Sequence, residues 1–179
     1  MEKIERIKRE LVYHGAIIDM YKDYVRIPNG NVAEWDFIMH KGAAAALPVT
    51  DEGKLILVKQ YRNALDRETI EIPAGGLDGV DEPMIDCAKR ELEEETGYHS
   101  DNLEFLISIR TTVAFCNERI DVFVAKDLKR TNQHLDEDEY VEVVEFEPDE
   151  LVEMIYNGTI QDSKTVSAIM AYYNKYCRE

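Results

Sequence analysis

The sequence predicts an α+β fold: a mixed sheet with helices packed against it, preceded by a small antiparallel sheet. Three observations carry this. Strand-like segments outnumber helical ones, the helical segments fall once in mid-chain and twice at the end, and no regular strand–helix alternation of a βαβ series appears. With 179 residues, 45% apolar and 32% charged, the chain can bury a sizeable core and has an ordinary globular composition. Residues 1–41 form a β-rich region and residues 42–179 the main domain. A small sheet buries little alone, so the first region is expected to pack against a second copy, making a homodimer.

Taken in order, Leu11–His14, Ala16–Met20 and Tyr24–Ile27 are short β-rich pieces, followed after a Pro28-Asn29-Gly30-Asn31 turn by Trp35–Met39. Ala43–Pro48 and Lys54–Gln60 are strands around an Asp51-Glu52-Gly53 turn, and Thr69–Ile72 is a short strand ending at Pro73-Ala74-Gly75-Gly76. A central helix is expected from Pro83, suited to a first helical position, to Thr96, with Gly97 suited to the left-handed position after it. Leu103–Thr111, Ile120–Ala125 and Tyr140–Glu147 read as strands and Asp149–Tyr156 as a short helix closed by Asn157-Gly158. Asp162–Tyr176 is the last helix, with Val166, Ile169, Met170 and Tyr173 at helical spacing for core packing.

Composition excludes several roles. A net charge of −16, from 37 acidic and 21 basic residues, offers no basic stripe for a nucleic-acid backbone. It leaves room for small anionic substrates, because a bound cation inverts the local field. No apolar run approaches the roughly 20 residues that span a bilayer, and Met1–Arg6 lacks the apolar core of a signal peptide, so the cytoplasm is the expected compartment. Cys87, Cys116 and Cys177, like His14, His40, His99 and His134, stand far apart in no metal-ligand spacing.

The chemistry concentrates in Gly76–Tyr98, G-L-D-G-V-D-E-P-M-I-D-C-A-K-R-E-L-E-E-E-T-G-Y. At about 100° per residue, Ile85, Ala88 and Leu92 share a face that must be buried. Glu91 and Glu95, four apart, lie together on its flank; Glu94 lies further round, and Glu93 and Asp86 face solvent. Arg90 precedes Glu94 by four and can pair with it, while Glu82 can reach the group from the loop. A run of acids is often only a solvated face. Here a glycine-bounded loop and an Arg/Glu spacing coincide with it, and so many carboxylates call for a hard divalent cation.

The segment resembles the Nudix box, G-x5-E-x7-R-E-U-x-E-E-x-G-U, at every specified position, with Tyr98 as the final bulky residue. Only Gly76, not Gly75, gives the register that places Glu82 and Arg90 correctly. The resemblance implies an α/β/α sandwich that hydrolyses a nucleoside diphosphate linked to another moiety. It implies Mg²⁺ or Mn²⁺ held by Glu91 and Glu95, with Glu94 adding to metal or water binding. It further implies that the Gly75 carbonyl completes the site, that Glu82 holds the loop or an outer water, and that Arg90 orients a glutamate.

Beyond the box, the chain resembles the ADP-ribose pyrophosphatase group in Val25–Gly30, Val58-Lys59-Gln60-Tyr61-Arg62, Glu71-Ile72-Pro73-Ala74-Gly75 and the closing segments Glu150–Met154, Gly158-Thr159-Ile160 and Asp162–Thr165. That implies Arg62, Glu71 and Glu118 as substrate contacts. It also implies an acidic loop, Leu135-Asp136-Glu137-Asp138-Glu139, that supplies a catalytic glutamate, Glu137 first and Glu139 second, with Glu94 the competitor within the box. One departure stands out. Where that group carries Ser-Pro-Gly-Phe, this chain has Val113-Ala114 in place of Pro-Gly, which removes both the fixed and the permissive backbone position, so another loop path is expected. ADP-ribose is therefore the first substrate, with GDP-mannose or another nucleoside-diphosphate sugar next. A non-catalytic nucleotide sensor is the reading from another class.

Overall fold

The structure, a computed structural model, describes residues 3–16, 18–79, 81–135, 137 and 139–178. Its contacts divide the chain into two units, Met1–Lys41 with Arg110–Arg119, and Gly42–Ile109 with Ile120–Glu179.

The first unit is a three-stranded antiparallel sheet of β1 (Glu5–His14), β2 (Asp19–Arg26) and β3 (Val32–Met39), in that order. The expected pieces Ala16–Met20 and Tyr24–Ile27 are not separate strands: β2 runs unbroken from Asp19 to Arg26, while Ile17 lies outside the described residues. The polar Lys22-Asp23 interrupts the alternation in sequence but not the strand. Asp23 is buried and takes the Arg9 guanidinium through two bonds of 2.6 and 2.7 Å, so its charge is paired under cover. Arg110–Arg119 joins this unit, although the sequence placed it in the main domain: Phe115 O accepts from Ile38 N at 2.7 Å and Asn117 Oδ1 from His40 N at 2.7 Å.

The second unit is built on a mixed four-stranded sheet in which β4 (Ala43–Pro48) pairs parallel with β10 (Arg119–Lys126) and antiparallel with β7 (Ala74–Gly76), β9 (Asn102–Arg110) lying beyond β10. Successive side chains of a strand point to opposite faces, and here both faces are apolar. Ala44, Ala46, Phe123 and Ala125 pack with Cys87, Ala88 and Leu92 of α1 (Met84–Thr96). Ala43, Ala45, Leu47, Val122 and Val124 face the opposite way, into a core shared with Leu151 of α2 (Pro148–Tyr156) and with Ala168, Ile169 and Tyr172 of α3 (Ser163–Tyr172). The result is the α/β/α sandwich. A second sheet, antiparallel in the order β12 (Val141–Phe146), β5 (Leu55–Arg62), β6 (Arg67–Glu71), adds Leu55 and Leu57 to that core. A two-stranded ladder joins β8 (Tyr98–His99) to β11 (Lys129–Arg130).

α3 buries a stripe one residue out from the expected one. Thr165, Ala168, Ile169 and Tyr172 are buried, whereas Val166, Met170 and Tyr173 are only partly covered. The polar Thr165 qualifies for the core because its hydroxyl donates to Asp162 at 2.6 Å and accepts from the Ile72 N–H at 3.0 Å. No helix among the described residues is long and apolar enough to cross a membrane.

Candidate active site

Gly75 and Gly76 leave the edge of the mixed sheet as β7, directly across from α1. α1 starts at Pro83 as N-cap, one residue earlier than a first helical position, and ends where Gly97 takes φ 67° and returns its N–H to Glu93 O at 2.9 Å. The helix is thus fixed in register, and its Cys87/Ala88/Leu92 stripe turns the 91/95 flank toward the β7 turn.

On that flank Glu95 is 4% exposed and accepts from the Ala74 N–H at 3.2 Å. Glu91 lies over Gly75 so closely that a Cβ built there would stand 1.9 Å from its Oε1. Burial pushes the Glu91 carboxyl up to about 7 despite Arg90 beside it. Burial, then the neighbouring Glu91, pushes Glu95 up to about 8. Buried adjacent carboxylates resist joint ionisation unless a cation joins them.

Arg90 is the cation the chain itself supplies. Its guanidinium donates to Glu91 at 2.6 Å, Glu94 at 3.0 Å, Glu82 at 3.3 Å and the Gly76 carbonyl at 3.0 Å. Glu82 in turn takes the Asp78 N–H at 2.7 Å, bracing the loop. Burial alone would raise the Glu82 carboxyl, but that N–H and Arg90 hold it below the usual range. Glu93, expected in solvent, is only half-exposed and meets His99 Nδ1 at 3.1 Å. Among the described residues no three acidic, His or Cys side chains converge as a ready metal cage, because Arg90 draws Glu82, Glu91 and Glu94 to itself. The donor set still suits a hard divalent cation: the carboxylate oxygens of Glu91 and Glu95 stand together against the glycine turn.

The acidic loop contributes unequally. The charge on Glu139 adds to the upward push on both Glu91 and Glu95, whereas Glu137, exposed like Glu139, is not among the main contributors to either. Asp136 and Asp138, the other acids expected in that loop, lie outside the described residues.

Arg62 and Glu71 meet at the ends of β5 and β6, where Arg62 grips the carboxylate through Nε at 2.8 Å and Nη2 at 2.6 Å. Glu71 is 2% exposed and also takes Lys164 Nζ and, at 2.6 Å, the Thr69 hydroxyl. It was expected to touch substrate; here its oxygens are filled by other side chains. Burial would raise its carboxyl, but Arg62 and Lys164 hold it down at about 2. The Arg62 side chain remains 42% exposed and feels the charge of Glu95. Sequence reasoning gave Lys164 no role of its own, although it lies in the closing segment Asp162–Thr165; it reaches Glu71 from 93 residues away.

Glu118 belongs to the first unit, where it accepts from the Thr111 hydroxyl and faces His40 Nε2 at 3.4 Å. The Val113-Ala114 segment makes its turn with no left-handed residue, held by the Thr112 carbonyl accepting from Cys116 N at 3.0 Å, and it leaves Val113 82% exposed.

A family model described as NUDIX domain matches residues 39–168. A protein of Bacillus subtilis (strain 168) named ADP-ribose pyrophosphatase is 41% identical over 165 residues, 91% of this chain and 89% of its own. A protein of Bacillus methanolicus named methanol dehydrogenase activator matches with the same identity and coverage. The crystal structure of an ADP compounds hydrolase superposes with a TM-score of 0.87 at 20% identity, covering 97% of this chain and 94% of that one, a likeness of fold.

Proposed function

This chain belongs to the NUDIX domain family, and from that premise we propose that it is a divalent-cation-dependent hydrolase of nucleoside-diphosphate sugars, cutting ADP-ribose to AMP and ribose 5-phosphate. The observation that carries this reading is the pair of the partly covered Glu91 and the buried Glu95 set against the Gly75 turn: two carboxyls raised to about 7 and about 8 gain most from a cation. Glu91 and Glu95 would hold Mg²⁺ or Mn²⁺ together with the Gly75 carbonyl, with Glu94 and Glu82 in support.

When bound, the cation would neutralise phosphate charge and make a coordinated water more acidic. In the reaction, water oxygen bonds to phosphorus, its proton passes to a carboxylate, and the bridging P–O bond breaks to release AMP and ribose 5-phosphate. The acidic loop supplies the proton acceptor, Glu137 first and Glu139 second, and Glu94 is the competitor within the box. Arg90 holds Glu94 and Glu91 in place through bonds of 3.0 and 2.6 Å. Arg62 binds substrate phosphate and Glu71 positions Arg62.

GDP-mannose or another nucleoside-diphosphate sugar is the second substrate, since Val113-Ala114 departs from the Pro-Gly of the ADP-ribose pyrophosphatase group. A homodimer formed through the N-terminal sheet is supported by Ile7, Leu11, Tyr13 and Trp35, all exposed there. A cytoplasmic location completes the reading.

Chromatographic measurement of products from ADP-ribose and GDP-mannose with Mg²⁺ tests it. The wild type should release nucleoside monophosphate, and Glu95→Gln should lose activity by about a hundredfold or more. Comparison of Glu137→Gln, Glu139→Gln and Glu94→Gln identifies the proton acceptor as the variant that loses most activity. Turnover of no nucleoside-diphosphate sugar would overturn the assignment, and tight calorimetric binding without product would favour the sensor reading.

A further inference from the structure

α3 brings a buried charge to the site from a part of the chain outside the box. Lys164, in its first turn, is 8% exposed. Its ammonium bridges two carboxylates, Glu71 and, at 3.0 Å, Asp162. Asp162 is the N-cap of α3 and also takes the Thr165 N–H at 2.9 Å and hydroxyl at 2.6 Å. The Thr165 hydroxyl accepts from Ile72 N at 3.0 Å, and two residues on, the Ala74 N–H is held by Glu95. The end of β6 is therefore pinned between the first turn of α3 and the buried glutamate of α1.

Glu71 sits at the centre of this arrangement. Lys164 and Thr69 occupy it from the protein side, and the Arg62 fork engages it with Nε and Nη2. Among the described residues Nη1 of Arg62 has no hydrogen bond, so the guanidinium is braced on one edge and keeps donors for a ligand. A carboxylate this deep holds a fixed position only when its other lone pairs are filled. Lys164 fills them with charge.

We propose that Lys164 is a positioning residue for substrate binding: its ammonium, anchored on Asp162, seats the Glu71 carboxylate on which the Arg62 fork is aimed at the substrate phosphate. The proposal rests on the reading of Arg62 as a phosphate contact.

Steady-state kinetics on ADP-ribose, with GDP-mannose in parallel, and calorimetric titration of AMP in Mg²⁺ test it in the wild type, Arg62→Ala, Lys164→Met, Lys164→Arg and the double variant Lys164→Met/Arg62→Ala. Lys164→Met should raise KM on the order of tenfold with kcat nearly unchanged, since uniform binding is what is lost. Lys164→Arg should recover much of that loss, and Lys164→Met should add little to Arg62→Ala. Lys164→Met leaves Glu71 with less counter-charge and can impair folding. Lys164→Met/Glu71→Gln removes the stranded charge and should fold yet keep the raised KM.

A normal KM in either folded Lys164 variant lacking the ammonium, or full additivity with Arg62→Ala, overturns the proposal alone. A normal KM and AMP affinity in Arg62→Ala itself overturns the reading of Arg62, and the proposal with it.

Discussion

Gly75 has no room for a side chain, because its would-be Cβ coincides with the Glu91 carboxylate, 1.9 Å from Oε1 and 2.1 Å from Cδ. The obstruction is the far end of a flexible side chain rather than backbone, so Gly75→Ala is a test of position more than of folding. Glu91 would have to swing off the turn, leaving Glu95 without its partner beside the Gly75 carbonyl. We expect Gly75→Ala to melt within a few degrees of the wild type while Mg²⁺ affinity and activity fall by about 10–100-fold. Calorimetric titration of Mg²⁺ alongside a thermal melt separates the two effects, and an alanine variant with wild-type Mg²⁺ affinity would show that Glu91 does not use the space over Gly75. Gly76, with nothing within 4 Å of its would-be Cβ, is the control, so Gly76→Ala should change affinity far less.

α1 shows which parts of an element a sequence can specify. Its left-handed stop was legible, and the structure gives it a test: Gly97 stands at φ 67°, and a Cβ there would lie 3.0 Å from Gln133 N and 3.3 Å from Asn132 C, both backbone. Gly97→Ala therefore combines an unfavourable φ with crowding that no rotamer relieves, and we expect it to cost about 1–3 kcal/mol. At roughly 2–4 °C per kcal/mol for a chain of this size, differential scanning calorimetry would register a drop of several degrees; an unchanged Tm would mean the helix end relaxes freely. The helix, its apolar stripe and its paired glutamates were legible because each depends on residues within one or two turns of one another. β7 was not, since Ala74-Gly75-Gly76 has no side-chain pattern and its pairing with Ala43–Ala45 is backbone alone. Nor was the fate of Glu71, which is decided by Lys164 and Asp162 on an element folded back from 93 and 91 residues away. The stripe of α3 was misread by one position because Thr165 enters the core only once Asp162 and Ile72 satisfy it. Local periodicity specifies an element, whereas the burial of its polar residues is settled by partners brought from elsewhere.

At the scale of the whole molecule the fold holds opposed electrostatic costs, and pH separates them. Glu91 and Glu95 carry folded-state values of about 7 and about 8, above the ordinary glutamate range of ~4.3 in an unfolded chain. A raised carboxyl favours the folded state while protonated, so their contribution is fully present below pH ~4.3 and is lost as pH rises through ~7–8. Glu71, held at about 2, works the other way: its contribution is present above pH ~4.3 and is lost as pH falls toward ~2. Cation-free protein should therefore be most stable in mildly acidic solution and should soften on both sides for different reasons. Bound Mg²⁺ needs the ionised pair, so its binding releases protons and strengthens with pH between about 6 and 8. Thermal melts in EDTA should show Tm falling by several degrees from pH 6 to pH 8.5, and excess Mg²⁺ should remove most of that fall. The acid limb below pH 4 should be indifferent to Mg²⁺, because it belongs to carboxyls held low by paired cations, Glu71 and the buried Asp23 among them, rather than to the helix pair. Glu95→Gln supplies the decisive comparison: with one of the two carboxylates gone, the alkaline loss in EDTA should shrink along with the rescue by Mg²⁺. An alkaline fall in Tm that survives in Glu95→Gln at full size would place its origin outside the Gly75–Glu95 turn.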